Sequence, residues 1–187
     1  LTQTQTRLFG GIIALMFVGL AVSALPYRYD LGVRLNGLAY ILLAAWLLRY
    51  DIARRTIKRD GLVRYIAACL LTGYVWLGIS GALALFYGGV SAGPLYDAML
   101  HSVFLGFVMA MIFGHAPIIF PAVLGLPVRY RPAFYSQLIF LQISLLIRII
   151  GDLSGNIALR GWGGMLNVIT LLLFLGNTVY SIISEKL

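Results

Sequence analysis

Apolar side chains come in six long runs separated by short polar breaks, roughly Leu8 to Leu25, Leu35 to Leu48, Tyr65 to Phe86, Ala98 to Phe120, Phe134 to Ile150 and Met165 to Ile183. Each run approaches the ~20 residues that a helix needs to cross ~30 Å of hydrocarbon. The second is short unless it begins near Leu31, which brings Arg34 to the interface with its guanidinium reaching for water. Between the second and third runs lies RYDIARRTIKRDGLVR, a hydrophilic stretch carrying Arg49, Arg54, Arg55, Lys58, Arg59 and Arg64 and no apolar face of its own. No long linker, low-complexity segment or soluble domain interrupts the pattern. The expected fold is an all-α integral membrane protein, a single bundle of six transmembrane helices over residues 1–187.

Composition agrees. Hydrophobic residues make up 61% of the 187 and charged residues only 11%, against about half and about a quarter in soluble domains; the mean hydropathy is +0.95. A net charge of +8 would point to nucleic acid in a soluble protein. Here the cations sit between apolar runs, where they determine topology, and nucleic acid is not expected as a partner. Arg7, the six cations of the hydrophilic stretch, Arg129, Arg131 and Lys186 fall on one side, ten in all; Arg28, Arg34, Arg148 and Arg160 fall on the other. The excess places both termini in the cytoplasm, with a bacterial-type inner (plasma) membrane as the expected setting. The first run, with Ala21-Val22-Ser23-Ala24 near its end, mimics a signal peptide; it is read as a retained anchor, and Leu1 in place of methionine suggests a short preceding piece. The lone Cys69 lies inside an apolar run and offers neither an intrachain disulfide nor a clustered thiolate site.

The candidate chemistry lies in the fourth run. It holds the two histidines of the chain, His101 and His115, fourteen residues apart. At ~100° per residue that spacing comes to about 1400°, about 40° short of four turns, so an unbroken α-helix places both imidazoles on one face, ~21 Å apart along the axis. The opposite face carries Gly106, Ala110 and Gly114, a small-residue row that lets a neighbouring helix come close. Leu105, Val108 and Ile112 lie between the histidines on their own face.

Imidazole is a standard axial ligand of haem iron, and a haem near each membrane surface needs ligands separated by about the hydrocarbon thickness. The spacing is similar to that of cytochrome b of the respiratory bc complexes, where two helices with such histidine pairs clamp two haems. This chain has one pair, so bis-histidine ligation needs a second copy or another subunit. Otherwise the iron is five-coordinate or takes a methionine, with Met16 and Met165 as candidates. Against haem stands the reading in which both histidines are hydrogen-bonding members of a polar interior network. Another metal or a proton relay is a third, although copper or zinc wants ligands close together, and two histidines this far apart cannot share one ion. Downstream, Pro117 and Pro121 are expected to break the helix beside His115, leaving either a functional pocket or a simple helix end.

On the fifth run Gln137, Ser144 and Arg148 form a polar stripe. Arg148, at the depth of His101, is expected either to neutralise haem propionates or to pair with Asp152 four residues on. Asn167, Thr170, Asn177 and Thr178 on the sixth run suggest interhelical hydrogen bonds. Gly78 and Ala82 suggest a close-packing pair on the third, and Tyr27, Tyr50, Tyr87, Tyr130 and Trp162 suggest aromatic belts. No phosphate-cradling loop, catalytic triad or paired-carboxylate site is present.

The block YDAMLHSVFLGFVMAMIFGHAPIIFP resembles the histidine-bearing helices of NnrS-type membrane proteins and, more distantly, of the haem-copper oxidase catalytic subunit, where a histidine opens a helix continuing with Leu-Gly and Met-Ile-Phe-Gly. The likeness covers under a third of the chain. It implies haem, with His101 the better-matched ligand, and respiratory or nitrogen-oxide metabolism. Those families have about twice as many helices and more histidines, so their copper site and gas chemistry do not carry over. The expectation is a haem b protein using His101, His115 and Arg148 for electron transfer, within a homo-oligomer or with other membrane subunits. The alternatives are a cofactor-free accessory subunit of an energy-converting complex and, less well supported for want of an inverted repeat, a small-solute or proton transporter. Chlorophyll also accepts imidazole as a ligand and stays open.

Overall fold

The computed structural model describes residues 2–126 and 128–184, and these form helices and no strand. In chain order they are α1 (Gln3–Ser23), α2 (Tyr29–Tyr50), the single turn α3 (Ala53–Thr56), α4 (Gly61–Tyr87), α5 (Pro94–His101), a π-helical segment (Ser102–Met109), α6 (Ala110–Leu124), α7 (Phe134–Ser154) and α8 (Ile157–Ile183). With α5, the π segment and α6 taken as one continuous helix, six helices are long and apolar enough to cross a membrane. Lys186, counted above among the topology-determining cations, lies outside the described residues.

The helices pack largely in sequence order, α1 on α2, α2 on α4, α4 along the histidine helix, the histidine helix on α7, and α7 on α8. The core lies where α4, the histidine helix and α7 meet, around Tyr65, Phe113, Leu141 and Leu145, all but sealed from solvent. Phe113 stacks on Phe174 of α8 at 4.7 Å, and Tyr65 takes Phe134 and Tyr135 edge-on. Helix α1 buries only Gly19. Large apolar side chains such as Phe17, Phe86, Val123 and Leu172 stand on the outside of the bundle, the arrangement that a hydrocarbon solvent permits and water penalises.

Local chemistry explains the ends. Helix α1 opens with a capping box, Thr2 Oγ accepting from Gln5 N (3.3 Å) and Gln5 Oε1 from Thr2 N (2.8 Å). Helix α2 extends two residues beyond the earliest expected start because Asp30 and Arg34 are tied to the far end of α4. Arg34 donates to the carbonyls of Leu85 (2.6 Å) and Phe86 (3.3 Å), while Asp30 accepts from Gly89 N (2.8 Å). A cation on the last carbonyls of a helix satisfies acceptors that have no intrahelical partner.

The small-residue row of the histidine helix meets α4 as an antiparallel ladder. Ser80 donates to Met99 O (3.0 Å), Gly106 lies against Trp76, Gly73 against Ala110 and Met111, and Gly114 against Cys69. A Cβ at Gly106 would run into the Trp76 side chain. Between α2 and α4 the close approach is made by Gly37 and Gly81, whose backbones touch; a Cβ on Gly37 would sit 2.7 Å from Gly81 O and from Leu85 N. The expected pair Gly78 and Ala82 does not do this. Ala82 is exposed and Gly78 only reaches ordinary contact with Ala44, because the helix crossing lies one turn-face away.

The structure corrects the helical phase between the histidines. Eight residues of i→i+5 bonding separate them, and such winding turns less and rises less per residue than an α-helix, so the summed angle and the separation estimated for a uniform α-helix do not apply. The expected break at the prolines is also absent. Pro117 and Pro121 lie inside α6, which continues to Leu124 and stops at Gly125, in the left-handed region at φ +64. Each proline removes one donor, leaving the carbonyls of Phe113 and Pro117 without their i+4 partner.

Gly37→Ala forces backbone against backbone, where no flexible side chain can yield. It should lower stability in a detergent unfolding titration by about 1–3 kcal/mol, whereas Gly78→Ala should be neutral or stabilising by up to about 1 kcal/mol.

Candidate functional site

Five charged or titratable residues from three helices converge at the bundle end where α5 begins and α7 hands over to α8. Asp152, its side chain fully buried near the end of α7, is the hub. Arg160 Nε donates to its Oδ1 (2.7 Å) and Arg148 Nε to its Oδ2 (3.3 Å). Arg160 Nη2 also reaches Asp97 Oδ2 (2.9 Å), sixty-three residues away in the chain, and Arg148 Nη2 stands 3.7 Å from the same oxygen. His101 Nδ1 lies 4.0 Å from Asp152 Oδ2. Two guanidiniums balance two carboxylates before His101 is counted, which is the condition under which a buried charge is tolerated.

The sequence builds this cluster through close backbone contact. A Cβ on Gly163 would lie 2.6 Å from Arg148 Cα, and one on Gly151 2.6 Å from Arg160 N. Both glycines therefore let α7 and α8 touch along their first shared turns, bringing Arg148 Nη1 to the Arg160 carbonyl (3.0 Å). The hairpin between them turns through Gly155 at φ +69, and Asn156 caps α8 by accepting from Leu159 N (3.1 Å).

The two histidines share one local arrangement. His101 Nδ1 is 2.6 Å from Asp97 O, and His115 Nδ1 is 2.8 Å from Met111 O, each four residues back on its own helix. A carbonyl can only accept, so in both rings Nδ1 carries a proton, and in the neutral ring the lone pair is then on Nε2. Among the described residues neither Nε2 has a hydrogen-bond partner. Both rings are half-buried, the His101 side chain being 27% exposed. His101 thus borders the polar cluster, while His115 reaches no other helix through a hydrogen bond. The network reading describes the surroundings of the first histidine and not those of the second.

Arg148 stands beside His101, with its Nε and Nη1 engaged by protein acceptors. The ion pair with Asp152 is formed; a direct propionate contact would have to compete with it. Asp97 and Arg160 were not singled out from sequence. Asp97 carried a signal, since it precedes His101 by one helical turn, but Arg160 sits after a turn whose return path no local pattern reveals. The methionines considered as further ligands are not gathered at the site. Met165 is exposed on α8, and Met16 belongs to α1, which packs on α2. No group of three or more His, Cys, Asp or Glu able to hold a metal ion occurs among the described residues.

Deeper in the bundle, polar side chains pair across α7, α8 and α4. Ser144 donates to Asn167 Oδ1 (2.6 Å), Asn177 to Gln137 Oε1 (3.0 Å), Gln137 to the Tyr65 hydroxyl (3.0 Å) and Trp76 to Gln142 Oε1 (2.6 Å). Thr170 and Thr178, expected to join them, instead donate to carbonyls of their own helix at Leu166 and Phe174.

Asp152→Asn removes the charge on which both arginines converge. It should cost about 3–5 kcal/mol in unfolding titrations, as breaking a buried pair does. Asp97→Asn acts on a partly exposed carboxylate and should cost about 1 kcal/mol or less.

No curated protein and no solved structure matches this chain. Residues 1–183 match the family described as a domain of unknown function, DUF8744, and with nearly its whole length covered the protein belongs to that family.

Proposed function

We propose that this protein is an integral membrane haem protein, with both termini cytoplasmic in a bacterial-type inner membrane, that serves electron transfer within an oligomer or a larger membrane complex. One observation carries the reading: both imidazoles have Nδ1–H fixed to a carbonyl of their own helix, leaving Nε2 as a lone-pair donor. Metal-ligating histidines are held in this way, the bond at one nitrogen setting the tautomer and raising the basicity of the other. The arrangement also fits the donor set. Haem asks for one or two axial ligands per iron, whereas copper or zinc bound by protein alone needs a cluster.

In this reading His101 and His115 hold haem b, each at its own depth, and the group supplies one-electron transfer when bound. A second ligand would come from another copy or another subunit, so this reading implies an oligomer. Phe104, Ile112, Ile118 and Ile119 stand exposed on the same continuous helix, offering an apolar surface for such a neighbour. Arg148 is a positioning residue rather than a direct ligand: with Arg160 it holds Asp152 beside His101, and that carboxylate favours the Nδ1-protonated ring. The resemblance of the histidine helix to NnrS-type and haem-copper oxidase helices points the same way.

The purified protein, expressed with ample haem supply, should show a Soret band and a b-type pyridine haemochrome. His101→Ala and His115→Ala should each remove part of the absorbance and the double variant all of it. A folded, colourless protein comigrating with a larger complex would sink the haem reading in favour of an accessory subunit.

A further inference from the structure

At the opposite end of the bundle from the Asp152 cluster, the start of α1, the end of α2 and α3 border an open cleft of about 1060 Å³. Four cations line it, Arg49, Arg54, Arg55 and Lys58, with Asp51 and Gln5 beside them. Among the described residues none of the four cations forms a salt bridge. The nearby carboxylate is in use, Asp51 Oδ1 accepting from Ala53 N (2.7 Å) at the first residue of α3.

The linker that presents these cations is held in place. Ala53 is fully buried, and α3 packs against α4. Exposed Arg54 and Arg55 therefore project from a fixed turn rather than from a loose loop. Tyr50 lies beneath Arg49, whose guanidinium stands 5.4 Å from the ring centroid, and Trp46 packs on Phe9 and Tyr50 and donates to Gln5 O (3.3 Å). Trp and Tyr clustered at a helix end mark headgroup depth.

The same α1–α2 pair carries a furrow of about 380 Å³ walled by Leu8, Gly11, Ile12, Leu15 and Leu42, with Thr4 and Arg7 toward the α1 N-terminus. Cations at headgroup level and an apolar furrow on one helix pair match a molecule with an anionic head and a greasy tail. We propose that this cleft binds the phosphate headgroup of an anionic phospholipid in the leaflet bordering the N-terminal end of α1. Clustered Lys and Arg just beyond a membrane helix attract such lipids at close range. The proposal rests on the transmembrane reading and not on haem; failure of the chain to enter nanodiscs would count against the former alone.

The test uses the full chain in nanodiscs holding equal phosphatidylglycerol and phosphatidylcholine, with lipids retained after release counted by native mass spectrometry. Phosphatidylglycerol should be retained in excess over phosphatidylcholine. R54Q/R55Q should cut that preference by about thirtyfold, whereas R59Q/R64Q, which removes equal charge outside the cleft lining, should leave it as in the unaltered chain. Equal retention of the two lipids overturns the proposal. So does an equal loss in both double variants, which would mean a diffuse positive surface rather than a built site. Displacement of the retained lipid by excess inorganic phosphate would make soluble phosphate the ligand and overturn the lipid assignment.

Discussion

The close contact between α4 and the histidine helix is the constraint on which the rest depends. In a hydrocarbon solvent apolar side chains gain little by leaving lipid for protein, so helices associate by close van der Waals packing and by pairing polar groups. Gly73 against Ala110, Gly106 against Trp76 and Gly114 against Cys69 set that distance. Only with the two helices so close can Ser80 reach Met99 O and Phe113 lie fully buried. The histidine helix is then fixed against α4 on one side and free to meet α7 through its first turns on the other.

That placement has an electrostatic consequence. Asp97 and His101 open the histidine helix, and α7 delivers Asp152 and Arg148 to the same level; α8 closes the set with Arg160. A carboxylate as buried as Asp152 would be costly alone, and two guanidiniums offset it. His101 therefore sits in a balanced but highly polar corner, whereas His115, past the π segment, has its Nδ1 held by the Met111 carbonyl of its own helix. The two imidazoles have the same tautomer in different surroundings, and any group bound to them would meet different fields. The opposite end of the bundle has the reverse character, with four cations around a cleft that form no salt bridge among the described residues.

The π segment and the prolines show where local reasoning fails. A uniform 3.6-residue period places the histidines on one face, but nothing in SVFLGFVM announces i→i+5 bonding, and its residues lie against α4 and α7. Pro117 and Pro121 suggested a break, yet α6 continues through both to Leu124. Similarly Gly78 offered the right spacing for close approach, and Gly37 with Gly81 made it instead, because which glycine meets a partner depends on where two axes cross.

By itself the sequence determined the helices: hydrophobic run length against bilayer thickness is a one-dimensional property, and each of the six apolar runs falls on one long helix, although α8 begins at Ile157, eight residues before Met165. It also determined which face of the fourth helix could pack tightly, since the small-residue row is readable at helical spacing, and which residues had coordinating chemistry. Tertiary structure alone decided that Asp97 meets Arg160, that Arg148 reaches the Arg160 carbonyl, and that Asp152 lies beside His101. Those outcomes depend on distances between residues far apart in the chain, and such distances follow from how helices cross, which no single helix encodes.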